Sequence, residues 1–254
     1  MEASLAALAP RLQLSRPGQL VPVLPALEGL LPERGLRPGA VVSVTGGGTA
    51  LLLALAAAAS TAGTWCAAVG IEGLGLLAAA ELGVDLSRLV VVGEAGDQWA
   101  RVATALADGV GVLLLRPSGR VQPRVAEQLT TVARRGGCAL VVSGEWPGAR
   151  VRLRVAARSW EGVGQGRGRL RARRLVVEAS GRGAAARERQ HQLWLPDREG
   201  SIRTVRPGDS GTAHPGAAHQ STAHHRTPGT PPGTAPGTAP GTAHGSPHGP
   251  LAVV

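Results

Sequence analysis

The sequence predicts an α/β protein, with a mostly parallel sheet flanked by helices, then antiparallel arginine-rich strands and a disordered tail. Two patterns carry this prediction. Between residues 40 and 143, short apolar runs alternate with helix-like stretches, and the runs are continuous, as in strands buried on both faces. After residue 149, arginine alternates with apolar residues, as in strands with one exposed face.

The first part contains five predicted strands with four predicted helices between them. Runs rich in valine and leucine place the strands at 40–44, 65–69, 88–92, 110–115 and 138–143. The intervening stretches place the helices at about 50–62, 74–82, 97–108 and 123–134. Asp97 is the expected N-cap of the third helix, because its carboxylate can accept a hydrogen bond from the first turn. Strands joined through helices run parallel, so this part forms a parallel sheet covered by helices.

The second part, residues 150–178, contains two predicted antiparallel strands. At a period of two residues, the arginines of each strand share one face, so the two strands present a concentrated cationic face. The arginines that alternate are Arg150, Arg152 and Arg154 on one strand and Arg167, Arg169, Arg171 and Arg173 on the other, and Arg174 is added to them as a candidate residue for binding DNA or a partner. The glycine-rich stretch 162–168 is a loop or a hairpin tip, and residues 193–195 form a final strand. Trp160 and Trp194 flank the segment and are expected to be core or interface anchors rather than base-stacking platforms.

The positive charge is confined to this second part. The chain has 254 residues and a net charge of +10, and residues 150–206 carry 15 arginines and 5 acidic residues. Composition then divides the chain into three. Residues 1–32 cap the sheet or mediate assembly, and residues 33–206 form the α/β domain. Residues 207–254, rich in Gly, Pro, Thr, Ala and His, form a tail that cannot bury enough apolar surface to order itself.

The missing residue types exclude several kinds of site. All 27 basic residues are arginine, so a phosphate-clamping lysine, a Schiff-base lysine and a lysine general base are excluded. The lack of Phe and Tyr leaves little material for stacking nucleobases. The two cysteines lie in apolar runs and are expected to be reduced. With no secretion signal and no apolar run approaching the ~20 residues that span a bilayer, a cytoplasmic protein is expected.

The turn after the first predicted strand is where an α/β domain binds a nucleotide phosphate. It reads TGGGTALLL, residues 45–53, whereas a phosphate-binding loop ends in Gly-Lys-Ser/Thr. Gly46, Gly47, Gly48 and Thr49 therefore form either a structural turn or a degenerate anion or nucleotide site. No arginine lies near Gly46–Ala50 in the sequence to replace the lysine. Arg116 follows the fourth strand, where nucleotide hydrolases carry the aspartate of the magnesium shell.

A family resemblance rests on two phrases, ELGVDLSRLVVV at 81–92 and SWEGVGQGRGRLRARRLVVE at 159–178. With the preceding WCAAVGIEGLGLLAAA, they resemble the RecA-like recombinase fold over roughly residues 28–197. More closely, the chain resembles the actinobacterial ImuA-type proteins, which are RecA-like accessory factors of damage-induced mutagenesis. The resemblance implies a RecA-like sheet in the domain at 33–206.

The resemblance also places Glu72 at the position of the recombinase general base. With neither the lysine nor the metal carboxylate, we expect Glu72 to be a relic or a structural acid that pairs with Arg116. The γ-phosphate-sensing glutamine also has no counterpart in residues 141–149. No hydrolysis of ATP, no cofactor and no metal site are therefore expected, although ATP binding stays open.

The function implied is a non-catalytic adaptor in DNA repair, the SOS response and translesion synthesis. Its arginine face would bind the DNA backbone without sequence specificity or, alternatively, an acidic protein, or it is only a solvated sheet face. By resemblance, the partners are an inactive Y-family polymerase-like protein and a C-family error-prone polymerase, and a homo-oligomer is possible. The alternatives are a degenerate ATP-dependent recombinase-like enzyme and a SulA-like inhibitor of cell division.

Overall fold

The computed structural model of the chain describes residues 19–164 and 167–209. The first 18 residues of the predicted N-terminal segment and the tail from residue 210 onwards lie outside the described residues. The side chain of Arg167, which the alternation places on the cationic face, lies outside them as well.

Nine strands and five α-helices occur in the described part of the chain. The strands are β1 (Val41–Thr45), β2 (Cys66–Val69), β3 (Leu89–Val92), β4 (Val112–Leu115), β5 (Ala139–Ser143), β6 (Val151–Gly164), β7 (Arg167–Gly181), β8 (Arg189–Trp194) and β9 (Arg203–Thr204). The helices are α1 (Pro25–Glu28), α2 (Thr49–Thr61), α3 (Leu76–Glu81), α4 (Trp99–Ala107) and α5 (Pro123–Gly136). The five strands and four helices predicted between residues 40 and 143 are all present. The pattern did not predict the short elements α1 and β9.

All nine strands form one sheet in the order β3-β2-β4-β5-β1-β6-β7-β8-β9. The six strands from β3 to β6 in this order run parallel to their neighbours. The last four, from β6 to β9, are antiparallel to one another. Strand β6 therefore belongs to both parts, because it runs parallel to β1 and antiparallel to β7. The prediction of a mostly parallel sheet followed by antiparallel strands is confirmed.

Two apolar layers cover the parallel part of the sheet. One face packs against α2 and the segment from Val21 to Leu36, and this layer continues onto β6 and β7 through alternate residues such as Leu153 and Val177. The opposite face packs against α4 and α5, with Trp99 and Trp146 in edge-to-face contact at 6.4 Å between ring centroids. None of the side chains that the structure describes in β6, β7 and β8 belongs to this second layer. The base of the β6–β7 hairpin therefore has one face in the first apolar layer, through residues such as Leu153 and Val177.

The start of α4 differs from the prediction. Asp97 lies within a 3₁₀ turn, Gly96–Gln98, and Gln98 is the residue that precedes the helix. The residue that precedes α4 is therefore one position later than the expected cap, after a turn in which Gly96 has a left-handed φ of 46°. In the described ranges, no helix has the length and apolar character needed to cross a membrane.

Substitution of Leu114 by alanine should destabilise the fold, because the side chain is fully buried on β4 in the middle of the parallel sheet. The expected loss is about 2–5 kcal/mol in the free energy of unfolding. Leu77→Ala is the matched control, because that leucine is 75% exposed and the change should stay within about 0.5 kcal/mol. Urea denaturation of both variants measures the difference, and equal losses would contradict the assigned core.

Candidate functional site

The turn between β1 and α2 is shaped by three consecutive glycines. Gly46 and Gly47 adopt left-handed φ angles of 81° and 74°, and Gly48 precedes the first residue of α2. A Cβ atom on Gly46 would lie 2.4 Å from the carbonyl oxygen of Val155, so no side chain fits there. The turn is therefore pressed against β6 and exposes the unpaired amide groups at the start of a 13-residue helix.

Arg116 reaches this turn from the end of β4. Its Nη2 donates a hydrogen bond to the Thr49 Oγ1 at 2.9 Å, and its Nε lies 3.4 Å from the Ser143 Oγ. Ser143 is the last residue of β5, which lies between β4 and β1 in the sheet. The guanidinium thus spans the end of β5 and places a fixed positive charge at the first residue of α2.

Arg158 of β6 supplies a second guanidinium at the same turn. Its Nη1 lies 3.4 Å from the position that a Cβ atom of Gly47 would occupy. This corrects the expectation that no arginine is available beside Gly46–Ala50. The sequence does not show this contact, because it depends on the parallel pairing of β6 with β1. The register of Thr45 with Arg154 brings the residues beyond Arg154 to the turn that follows β1.

Arg173 completes a cationic cluster next to Arg158. Its Nε donates to the carbonyl oxygen of Leu195 at 2.8 Å, and its guanidinium lies 5.1 Å from the centroid of the Trp160 ring. Burial, and next the positive charge of Arg158, lower the pKa of Arg173. Among the described residues, neither arginine forms an ion pair with a carboxylate. Such a pair of like charges is stabilised by an anion.

The predicted arginines do not form one cationic face. Arg154 lies opposite Glu178 and binds it at 2.6 Å, whereas Arg173 lies opposite Trp160 on the other face of β7. Sequence alternation misses this split because it cannot fix the pairing register, which also shifts between Val155 and Ala157.

The remaining predicted arginines have different surroundings. Arg150 precedes β6 and binds Glu33 at 3.0 Å, and Arg174 donates to the side chain of Gln192. Arg152 lies opposite Ser180. Arg169 and Arg171 are exposed near the end of the hairpin. Among the described side chains, Arg150, Arg154 and Arg174 are engaged within the protein, whereas Arg152, Arg169 and Arg171 form no ion pair.

Glu72 makes no side-chain contact with the arginines at the turn among the described residues. It follows β2 in an exposed turn, and within residues 19–164 and 167–209 it forms no ion pair or hydrogen bond. The pair expected between Arg116 and Glu72 is therefore not found there, because the guanidinium turns towards Thr49 across β5. Sequence order suggested neighbouring strand ends, but it did not reveal that Thr49 offers a closer acceptor.

The turn and its arginines suit an oxyanion better than a metal ion. Amide donors and the guanidinium groups of Arg116 and Arg158 all favour negative charge. The residues do not fit a magnesium ion. The Thr49 hydroxyl is engaged by Arg116, and a cation stands where the metal shell needs a carboxylate.

Comparisons with known proteins place this geometry in context. A family model described as the MT3502 N-terminal domain matches residues 29–148. The uncharacterized protein Rv3395c of Mycobacterium tuberculosis is 39% identical over 149 residues, which cover 58% of this chain and 69% of that protein. Among solved structures, the RadB recombinase matches with a TM-score of 0.51 and 16% identity, covering 71% of this chain and 97% of its own. The RecA-like fold is thus confirmed, and the ImuA-type assignment stays a prediction.

The contact between Gly46 and β6 can be tested with two glycine-to-alanine changes. Gly46 and Gly63 have similar left-handed φ angles, 81° and 89°, but a Cβ atom on Gly63 would meet nothing within 4 Å. Gly63→Ala should therefore cost only the left-handed strain of about 1–2 kcal/mol. Gly46→Ala should cost a further ~1–3 kcal/mol because the methyl group overlaps Val155. Equal losses in urea denaturation would contradict the close approach.

Proposed function

We propose that this protein is a non-catalytic adaptor that binds DNA. The chain belongs to one family with the mycobacterial protein Rv3395c and has a RecA-like fold, and both findings support the proposal. Its binding surface would be the β6–β7 arm, defined as the described residues 157–164 and 167–173, together with the glycine turn 46–48. The arm is the part of the β6–β7 hairpin that does not pair with β8, because β8 pairs with β7 only from Arg174 onwards. The carrying observation is that Arg158 reaches Gly47 of this turn and shares one face of the hairpin with Arg173.

The arrangement at the turn argues for binding without hydrolysis. A nucleotide hydrolase needs a lysine on the phosphates and a carboxylate for the metal ion. This chain has no lysine. At the position of the metal-binding carboxylate it has Arg116, which donates a hydrogen bond to Thr49. Glu72, at the position of the general base, makes no contact with these groups within the described residues. A base with no bound phosphate or metal beside it has no reaction to promote.

The arm is suited to a phosphate backbone. Arg158, Arg169 and Arg171 are exposed, and a guanidinium can donate two hydrogen bonds to one phosphate. The acidic residue of the arm, Glu161, is bound to Arg198 at 3.1 Å and does not neutralise them. Backbone contacts of this kind carry no sequence information, so binding would be non-specific and would weaken strongly with salt.

The context of DNA repair and translesion synthesis comes from the resemblance to ImuA-type proteins. On that basis the adaptor would link DNA to an inactive Y-family polymerase-like protein and a C-family error-prone polymerase. The RadB recombinase supports a RecA-like scaffold for such a role by fold alone. Self-association is proposed on the same basis.

Removal of the exposed arm arginines should weaken DNA binding and reduce its salt dependence. In the triple variant Arg158→Ala, Arg169→Ala, Arg171→Ala, the slope of log K against log salt for duplex DNA should fall by about 2.7, at ~0.9 per lost phosphate contact. Arg173 is left in place because it anchors the arm to Leu195. Fluorescence anisotropy of a labelled duplex over a salt series gives both slopes.

The control for this experiment removes equal charge from another surface. Arg120, Arg124 and Arg135 are exposed on or just before α5, on the sheet face opposite to the α2 layer. Their triple alanine variant should keep the wild-type slope. If the slope falls equally in both triple variants, the weaker salt dependence is due to the lower net charge of the protein and not to the arm. A wild-type protein that binds no DNA at low salt contradicts the proposed function.

Phosphate release from ATP with magnesium should stay at the background rate in the wild-type protein. Glu72→Gln should leave that rate unchanged, since among the described residues the carboxylate forms no hydrogen bond or ion pair with Arg116 or Thr49. A phosphate-release assay on both proteins makes the comparison. Turnover above background that disappears in Glu72→Gln would show a working hydrolase and refute the non-catalytic role.

Affinity capture from cells with damaged DNA should recover a polymerase-class protein with the wild-type chain. Nuclease treatment of the extract distinguishes a direct partner, which stays bound, from one bridged by DNA, which is lost. The proposed adaptor role requires the direct partner. Recovery of no polymerase-class protein, before or after nuclease, would contradict it.

A further inference from the structure

We propose that Trp160 is a stacking platform for an unpaired nucleobase, so that the arm binds single-stranded DNA in preference to duplex. This inference rests on the proposed DNA-binding function and adds the strand type and a residue-level contact. Trp160 is 46% exposed on β6, whereas Trp99, Trp146 and Trp194 are 7%, 2% and 4% exposed. The exposure excludes the core position that the sequence suggested for this residue. A large aromatic ring is therefore nearly half exposed on β6.

The ring of Trp160 is held in place from one side. The guanidinium of Arg173 lies over it, 5.1 Å from the centroid, and the two residues are direct cross-strand partners. Arg173 is itself half-buried and tied to the Leu195 carbonyl oxygen at 2.8 Å. The side chain is therefore ordered before any partner arrives, which lowers the entropy lost on binding. Arg173 covers one face of the indole and leaves the exposed part of the ring for a second planar group.

The surroundings of the ring favour a nucleic acid over an apolar protein surface. Arg158 and Arg171 lie on the same arm and are exposed, and Arg158 extends to Gly47. Cations beside an exposed aromatic ring match the alternation of phosphate and base along a single strand. In duplex DNA the bases are stacked and paired, so an aromatic ring on a hairpin cannot reach their faces without unstacking them. The same arginines would still contact duplex phosphates, but more weakly overall.

The test compares single strands that have the same phosphates with and without bases. Anisotropy is measured with a labelled thymidine oligonucleotide, an abasic strand of equal length and a duplex. The wild-type protein should bind the thymidine strand at least about fivefold more tightly than the abasic strand. Trp160→Leu, which keeps apolar bulk, should bind both strands equally. Trp160→Phe should retain much of the preference, because its ring can still stack.

A fluorescence readout separates stacking from a structural role. The thymidine strand should quench tryptophan emission of the wild-type protein, and this quenching should be largely lost in Trp160→Phe although the strand still binds. Trp65→Phe is the matched control, because Trp65 also lies beside an arginine, Arg88 at 5.4 Å, but on a different part of the sheet. That variant should keep the quenching that is due to Trp160.

Each outcome distinguishes this inference from the function on which it rests. Equal binding of the thymidine and abasic strands by the wild-type protein overturns the stacking role and leaves the backbone role intact. No binding to any strand overturns both. If Trp160→Leu leaves DNA affinity unchanged but abolishes capture of a polymerase-class protein, Trp160 belongs to a protein interface and the inference is wrong.

Discussion

The structure depends on the two-sided pairing of β6. One edge of this strand is parallel to β1 and the other is antiparallel to β7, so it joins the parallel sheet to the arginine-bearing strands. Val151, Leu153 and Val155 anchor it in the main apolar layer. Because Gly46 is pressed against Val155, the same pairing fixes the turn before α2 and brings Arg158 to it. Loss of the β1–β6 register would separate the arm from the turn.

Charge at the turn explains how a RecA-like fold could serve binding instead of hydrolysis. Arginine supplies the positive charge from two directions, Arg116 across β5 and Arg158 from β6. A guanidinium is permanently charged and offers several donors in a fixed plane, which suits it to phosphates that stay bound and unreacted. The arm, which belongs to the same sheet, continues this chemistry with the cross-strand pair of Trp160 and Arg173. The proposed adaptor and its stacking contact both follow from this arrangement.

The sequence predicted the parallel sheet well because buried parallel strands are continuous apolar runs, as in VLLL of β4. It predicted the antiparallel hairpin from alternation. The alternation of arginine with apolar residues does not determine how β6 and β7 are paired. It therefore could not show that Arg154 lies opposite Glu178 and Arg173 opposite Trp160. The glycine turn was found from its composition. Arg158 was missed because its contact with Gly47 is made between distant parts of the chain, and only the position of β6 beside β1 reveals it.

Hydrogen exchange of the full chain, with and without a saturating single-stranded oligonucleotide, tests the central claim most directly. If the arm and the turn form one DNA-binding surface, amide exchange should slow in residues 157–173 and 46–50. It should stay unchanged in α5, on the opposite layer. Slower exchange confined to α4 and α5, with the arm and the turn unaffected at saturation, would contradict the account.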